Sequence, residues 1–233
     1  MAAPTFVAAY NSVYNTSTTP KTVSVTTQAG DIVVVYGGIE NGSAILSTPT
    51  GNSLTYSLQQ SVAVDVGWAS AYVWAATDNT GGTNWALSVS AGNDLTKHWG
   101  FGCLVFRNSG GVGASNKTNV NGSGVSLNLT TTQDNSAVVV FNVDWNAVDG
   151  NSRTWSTVNS IAPSSGNGLE TIYYRSSTTY AAYGAYYNDV GAAGSKAVGL
   201  SAPGGQKYSI VAVEVKGISN STIPLAWIQG VNG

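Results

Sequence analysis

Charge is scarce in this chain. Of 233 residues only 9% are Asp, Glu, Lys or Arg, against about 25% in an ordinary globular protein. Charge-driven disorder needs low hydrophobicity with high charge, and a hydrophobic fraction of 42% excludes it. Surface polarity must therefore come from Ser, Thr, Asn, Gln and Gly. The nine basic residues stand singly and the net charge is −2. No cationic stripe is available to neutralise phosphates, so nucleic acid is not an expected partner. Membrane insertion is not expected either: there is no polybasic patch, and the longest apolar runs fall far short of the roughly 18 residues of a spanning helix.

Cysteine and histidine are scarcer still, with one of each, Cys103 and His98. A single cysteine excludes an internal disulfide. In the apolar run Trp99–Phe106 it reads as a small buried hydrophobe. Zinc needs clustered Cys and His, and the spacing of a calcium loop is missing, which leaves an irregular oxygen-ligand calcium site in the loops as the alternative. Asp78-Asn-Thr-Gly81 and Asp149-Gly150 read as turns. A Ser-His-Asp triad would have to take His98 as its base, and no Gly-x-Ser-x-Gly elbow frames a serine. A glycosidase needs two carboxylates about 5–10 Å apart. Asp144 beside Trp145 and Glu170 ahead of Tyr173 and Tyr174 are the pair to test, with Asp31 a weaker candidate. The expectation is a protein with no catalytic residues, no metal and no cofactor. Met1-Ala-Ala-Pro-Thr5 has no basic stretch followed by an apolar one, so no signal peptide is expected. The chain is expected to be made in a cytoplasm and, if exported, to leave by another route such as host lysis.

Helix signals are missing: no amphipathic stretch at helical spacing carries capping residues. What is present is strand signal, short runs of Val, Ile, Thr, Tyr and Trp between Gly, Asn, Asp and Ser clusters. Strands are expected at Thr5–Tyr10, Thr22–Thr26, Ile32–Gly37, Thr55–Val62, Ala69–Ala75, Asn84–Ser90 and Gly100–Phe106. A second set is expected at Val125–Leu129, Ala137–Val143, Thr154–Asn159, Glu170–Arg175, Thr179–Tyr187, Ser195–Leu200 and Tyr208–Val215. Ile32–Tyr36 and Val138–Val143 are apolar on both faces and read as central strands. Such a series predicts an all-β fold, a two-sheet antiparallel β-sandwich.

The chain also looks like two copies of one pattern. Thr26-Thr-Gln-Ala-Gly-Asp-Ile-Val-Val-Val35 is echoed by Thr131-Thr-Gln-Asp-Asn-Ser-Ala-Val-Val-Val140. Ser70-Ala-Tyr-Val-Trp74 is echoed by Ala181-Ala-Tyr-Gly-Ala185, and Trp85–Ser90 by Ala197–Ser201. The expected organisation is one sandwich domain over residues 1–217. Its similar halves, about 20–108 and 120–217, supply matching strands, and a tail follows at 218–233. Two independent domains joined near Asn108–Gly113 are the alternative.

The run Ala29–Val35, then Tyr72-Val-Trp-Ala-Ala76, a Gly-Gly turn, Leu87-Ser-Val-Ser90 and the closing Leu104-Val-Phe106 resembles the concanavalin-like jelly-roll domains of bacteriophage tail and fibre proteins and some bacterial surface proteins. Thr131–Val140 and Tyr208–Val215 match the later strands, so the resemblance covers roughly residues 20 to 217. It implies a jelly-roll sandwich and a virion-surface or adhesive role, and it carries over no ligand or functional residue. The function expected is a non-enzymatic tail or fibre component in the virion. Its partners would be other virion proteins, further copies of itself (a trimer) and a host-surface glycan. A capsid decoration protein, a free carbohydrate-binding module and a glycan hydrolase are the alternatives.

Aromatic residues with a polar handle are abundant, seven Trp and twelve Tyr against four Phe. Such side chains favour sites with one apolar and one wet side. Trp145 and Trp155 flank a loop containing Asn146, Asp149 and Arg153, where rings could stack on a pyranose and polar groups fix its hydroxyls. They equally fit a hairpin with a Trp pair across it. Tyr173, Tyr174, Tyr180 and Tyr186 lie in a tyrosine-dense stretch with Tyr183 and Tyr187. Strand alternation points Tyr180 and Tyr186 to one face and Tyr183 and Tyr187 to the other, so one pair is expected in the core and the other near the surface. These nine residues are the candidate glycan site. In the tail, Ile223, Leu225, Trp227 and Ile228 are candidates for docking on a partner.

Overall fold

The computed structural model describes residues 2–17, 19–41, 43, 45–63, 69–92, 96–121, 125–145, 153–163, 171–177 and 179–218. Among these residues there is no helix, and the strands are antiparallel, as the sequence predicts. The first seven strands are β1 (Thr5–Asn11), β2 (Lys21–Gln28), β3 (Asp31–Ile39), β4 (Ser57–Ala63), β5 (Ser70–Asp78), β6 (Gly81–Val89) and β7 (Trp99–Arg107). Eight more follow: β8 (Val112–Asn121), β9 (Val125–Thr131), β10 (Ala137–Asp144), β11 (Thr154–Trp155), β12 (Ile172–Ser176), β13 (Tyr180–Tyr187), β14 (Gly194–Ala202) and β15 (Lys207–Val215).

The strands form four sheets where two were expected. The first half builds a five-stranded sheet, β1-β7-β3-β5-β4, and a two-stranded sheet, β2-β6. The second half builds β8-β15-β10-β13-β12 and a three-stranded sheet, β9-β14-β11. The order is the same in both halves, so the sequence repeat is a structural repeat. The two five-stranded sheets face each other, and each small sheet covers the far side of its own half. Three cores result. Val33, Val35, Trp74, Leu87 and Phe101 fill the first half. Val138, Val140, Tyr183, Val198 and Ile210 fill the second. Val34, Tyr36, Leu104, Val139, Phe141 and Val213 lie between the halves. Alternation along β3 and β10 feeds one core from each face, which is why Ile32–Tyr36 and Ala137–Phe141 are apolar throughout.

The halves meet through aromatic rings. Tyr36 stacks on Phe141 with ring centres 5.0 Å apart, and Phe6 stacks on Tyr186 at 4.4 Å. Burying each such ring contributes about 1.5–3 kcal/mol. Tyr36 also hydrogen-bonds the Thr171 hydroxyl at 2.7 Å. Gly38 lets the sheets come this close: a Cβ there would sit 2.5 Å from Val143 Cγ1. Along one side the edge strands β4 and β8 run together. Ser115, Lys117 and Asn119 on β8 donate to the carbonyls of Gln59, Ser61 and Ala63 on β4. The open edge of β4 is thereby closed by side chains instead of by another strand.

Strand register defines two poles. At one, Ile39 pairs with Ser70 and Trp99, Ala63 with Ser70, Asp144 with Ala181 and Tyr208, and Lys207 with Asn121. The other is made of tight turns, with Asp31 opposite Asp78, Ala137 opposite Val215 and Thr5 opposite Arg107. Ala2 and Ile218 also pair at this turn pole. Two-residue turns dock there in both halves. Asn52 and Ser53, and again Asn159 and Ser160, take left-handed φ values of 48–64°, the conformation of a type I′ turn. Asn52 Nδ2 donates to Asp78 Oδ2 at 3.0 Å, and Asn159 Nδ2 to the Val190 carbonyl at 2.8 Å.

Candidate functional site

The loop pole gathers several of the described residues that the sequence marks out. Trp145 follows β10, is half-buried against the core between the halves, and donates its backbone N–H to the Lys207 carbonyl at 2.9 Å. Tyr174 on β12 is half-buried. Its ring stacks on Tyr14 at 5.2 Å and lies 5.8 Å from the His98 ring. Asn146, Asp149, the side chain of Tyr173 and the tail residues Ile223, Leu225, Trp227 and Ile228 lie outside the described residues. So does Glu170, which leaves the carboxylate pair with Asp144 without a geometry.

Three of the candidate rings are interior. Tyr180 and Tyr186 are buried between the halves, and Trp155 is buried in the second-half core. Tyr183 and Tyr187 are buried on the opposite face of β13. The expectation that one tyrosine pair lies near the surface therefore gives way, because the three-stranded sheet covers the face that a two-sheet sandwich would leave open. Burial holds the hydroxyls of Tyr14 and Tyr180 protonated far above the usual range.

Arg153 and Trp155 instead turn inward, toward a polar set that sequence reading did not assemble. Asn142 and Asp144 are fully buried. They lie two apart on β10, on the face shared with Val138 and Val140, and so point into the second-half core. Tyr183 and Ile210 are the direct cross-strand neighbours of Asn142. The Arg153 guanidinium lies 5.8 Å from the centre of the Tyr183 ring, and Gln206, also buried, precedes the start of β15. Among the described residues neither the side-chain oxygen nor the nitrogen of Asn142 has a hydrogen-bond partner. Periodicity had assigned this stretch only as an apolar central strand.

Other buried polar groups bind parts of the fold together. Glu214 accepts the N–H groups of Ala114, Thr132 and Gln133 and the hydroxyls of Thr132 and Ser136, all within 3.1 Å. Arg107 forks onto Asp31 with two 2.8 Å contacts. Burial would push the Asp78 carboxyl up, but the hydroxyls of Thr27 and Thr80 and the N–H groups of Thr80 and Gly81 outweigh it and leave it below its ordinary 3.8. Among the described residues Lys21 has no carboxylate partner. Its ammonium donates to the carbonyls of Val13, Asn15 and Trp99 and to Asn15 Oδ1 at 2.6–3.0 Å, and burial lowers it to about 8. At the loop pole His98 Nδ1 lies 2.8 Å from Glu40 Oε2.

A cleft of about 510 Å³ opens near the turn pole, lined by Asn52, Ser53, Thr55, Gln59, Thr77 and Asn79 among others. It carries no charged side chain. Among the described residues no group of three or more His, Cys, Asp or Glu could hold a metal ion, and no helix is long and apolar enough to cross a membrane. No protein-family model, curated protein or solved structure matches the chain. The fold and site together define an internally duplicated, all-β protein with a polar set enclosed at the loop pole of its second half.

Proposed function

We propose that the chain is a non-enzymatic attachment module of a bacteriophage particle, held through its turn pole and presenting its loop pole to a neutral host-surface glycan. The observation that carries this reading is the division between the poles. Residues 2 and 218 pair at the turn pole, while Trp145, Tyr174, Arg153 and the Glu40–His98 pair gather at the other. Binding groups on loops set upon a rigid β-scaffold are a recurrent arrangement. The roles of Asp31, Asp78 and Glu214 in bracing turns and strand ends favour binding over hydrolysis. The virion setting rests on the jelly-roll resemblance. In that setting residues 219–233 would dock on a neighbouring virion protein, and copies of the chain would associate as a trimer.

The test is retention of the purified protein on host cell-wall glycan, compared with Trp145→Ala. Retention of the wild type that falls about tenfold in the variant is expected, the loss of one stacked ring. A wild type that no glycan retains would overturn the reading.

A further inference from the structure

The side chains that close β4 against β8 stop short of the turn pole. The last of them is Ser115, which donates to the Gln59 carbonyl at 3.2 Å and lies 3.0 Å from Gln60 Nε2. Past it, among the described residues, no hydrogen bond joins the two strands. There the cleft of about 510 Å³ opens, with Ser57 of β4 on one side and Val112 of β8 on the other. It lies where the two halves meet, a usual place for ligand sites, and its size falls within their range of about 300–1,000 Å³. Its walls are fixed. A bulge between Leu58 and Gln60 sets the position of Gln59, and bulges re-aim side chains beside functional sites. The Asn52-Ser53 turn forms another wall. It is pinned by Asn52 Nδ2, which donates to Asp78 Oδ2 at 3.0 Å and to the Gly81 carbonyl at 3.3 Å.

These walls carry hydrogen-bonding groups that the fold does not use. Ser53, Thr55, Ser57, Thr77 and Asn79 all line the cleft and are exposed. Among the described residues none of their side chains bonds to another residue, whereas Asn52 and Thr80 beside them are committed to Asp78. Leu54 and Val112, both half-buried, add apolar surface. We propose that this cleft binds a neutral saccharide, at a place separate from the loop pole and independent of the attachment reading. Hydroxyls and amides both donate and accept, as sugar hydroxyls do. The lining has no charged side chain to pair with an ionic ligand, and Leu54 and Val112 offer contact for the C–H surface of a ring.

The direct test is NMR of the wild-type protein, following backbone amide resonances during titration with glucose, galactose, mannose and N-acetylglucosamine in turn. Saturable shifts with at least one sugar are expected, centred on residues 53–59 and 77–80. Thr77→Val and Asn79→Ala change exposed side chains that hold nothing in the fold. Each is expected to weaken that sugar about two- to tenfold, the worth of one hydrogen bond. No saturable shift with any sugar, shifts confined to other residues such as Trp145 and Tyr174, or variants that bind as tightly as the wild type would each overturn the proposal. The attachment reading fails on a different result, a wild type that no cell-wall glycan retains, so the two stand or fall separately.

Discussion

The first half of the molecule fills its interior with Trp74, Trp99, Phe101 and Leu46, while the second half, in the same topology, buries Asn142, Asp144, Arg153, Gln206 and Glu214. Features present in both halves, such as the Asn-Ser turns and the carboxylates of Asp78 and Asp189 that accept a turn glycine N–H, belong to the fold itself. Features present in one half alone need a separate reason. Glu214 has a local one, since it ties β8 and the β9–β10 turn to β15; its counterpart beside Val33 is Val105. Asn142 has no such reason, which singles it out among the buried polar residues.

The comparison can be broken at several points. Glu214→Ala strips the shared acceptor from three N–H groups and two hydroxyls. It is expected to cost about 3–5 kcal/mol, the penalty for dismantling a buried charged network, measured as the urea unfolding free energy. Gly37→Asn writes the second half's residue into the first, where Leu46 and Phe101 leave it no room. Overpacking and an unpaired amide together should cost about 3 kcal/mol by the same measurement. Lys117→Met removes one of the side chains that close the β4 edge, with an expected loss of about 0.5–1.5 kcal/mol and faster aggregation by light scattering.

A different kind of effect is a pH dependence. Unfolded, Lys21 holds its proton up to about its ordinary 10.5; folded, burial brings it to about 8. Between those values the unfolded chain binds more protons, so raising the pH favours the folded state. Stability of the wild type relative to Lys21→Met should rise across that window, read from urea midpoints at pH 7.5 and pH 10. A flat difference would show that the four oxygens around the ammonium keep its proton.

Much of this architecture was legible in the sequence. Strand periodicity located every strand but β8, whose residues Ser115, Lys117 and Asn119 are polar because they bond sideways to β4. The repeat Thr26–Val35 and Thr131–Val140 foretold the duplication. What it could not reveal was the number of layers. Tyr180 and Tyr183 face opposite ways on β13, and only the outer sheet explains why both are buried. For the same reason Arg153 and Trp155, marked by composition, turned out to face inward, and Asn142 stayed hidden within an apolar run.

The central claim is that Asn142, unlike Glu214, is not there for the fold. It is tested most directly by the urea unfolding free energy of Asn142→Val against the wild type. The account predicts a variant at least as stable as the parent, with a gain of about 1–2 kcal/mol from removing an unpaired buried amide. A loss of similar size would contradict it and make Asn142 a structural residue.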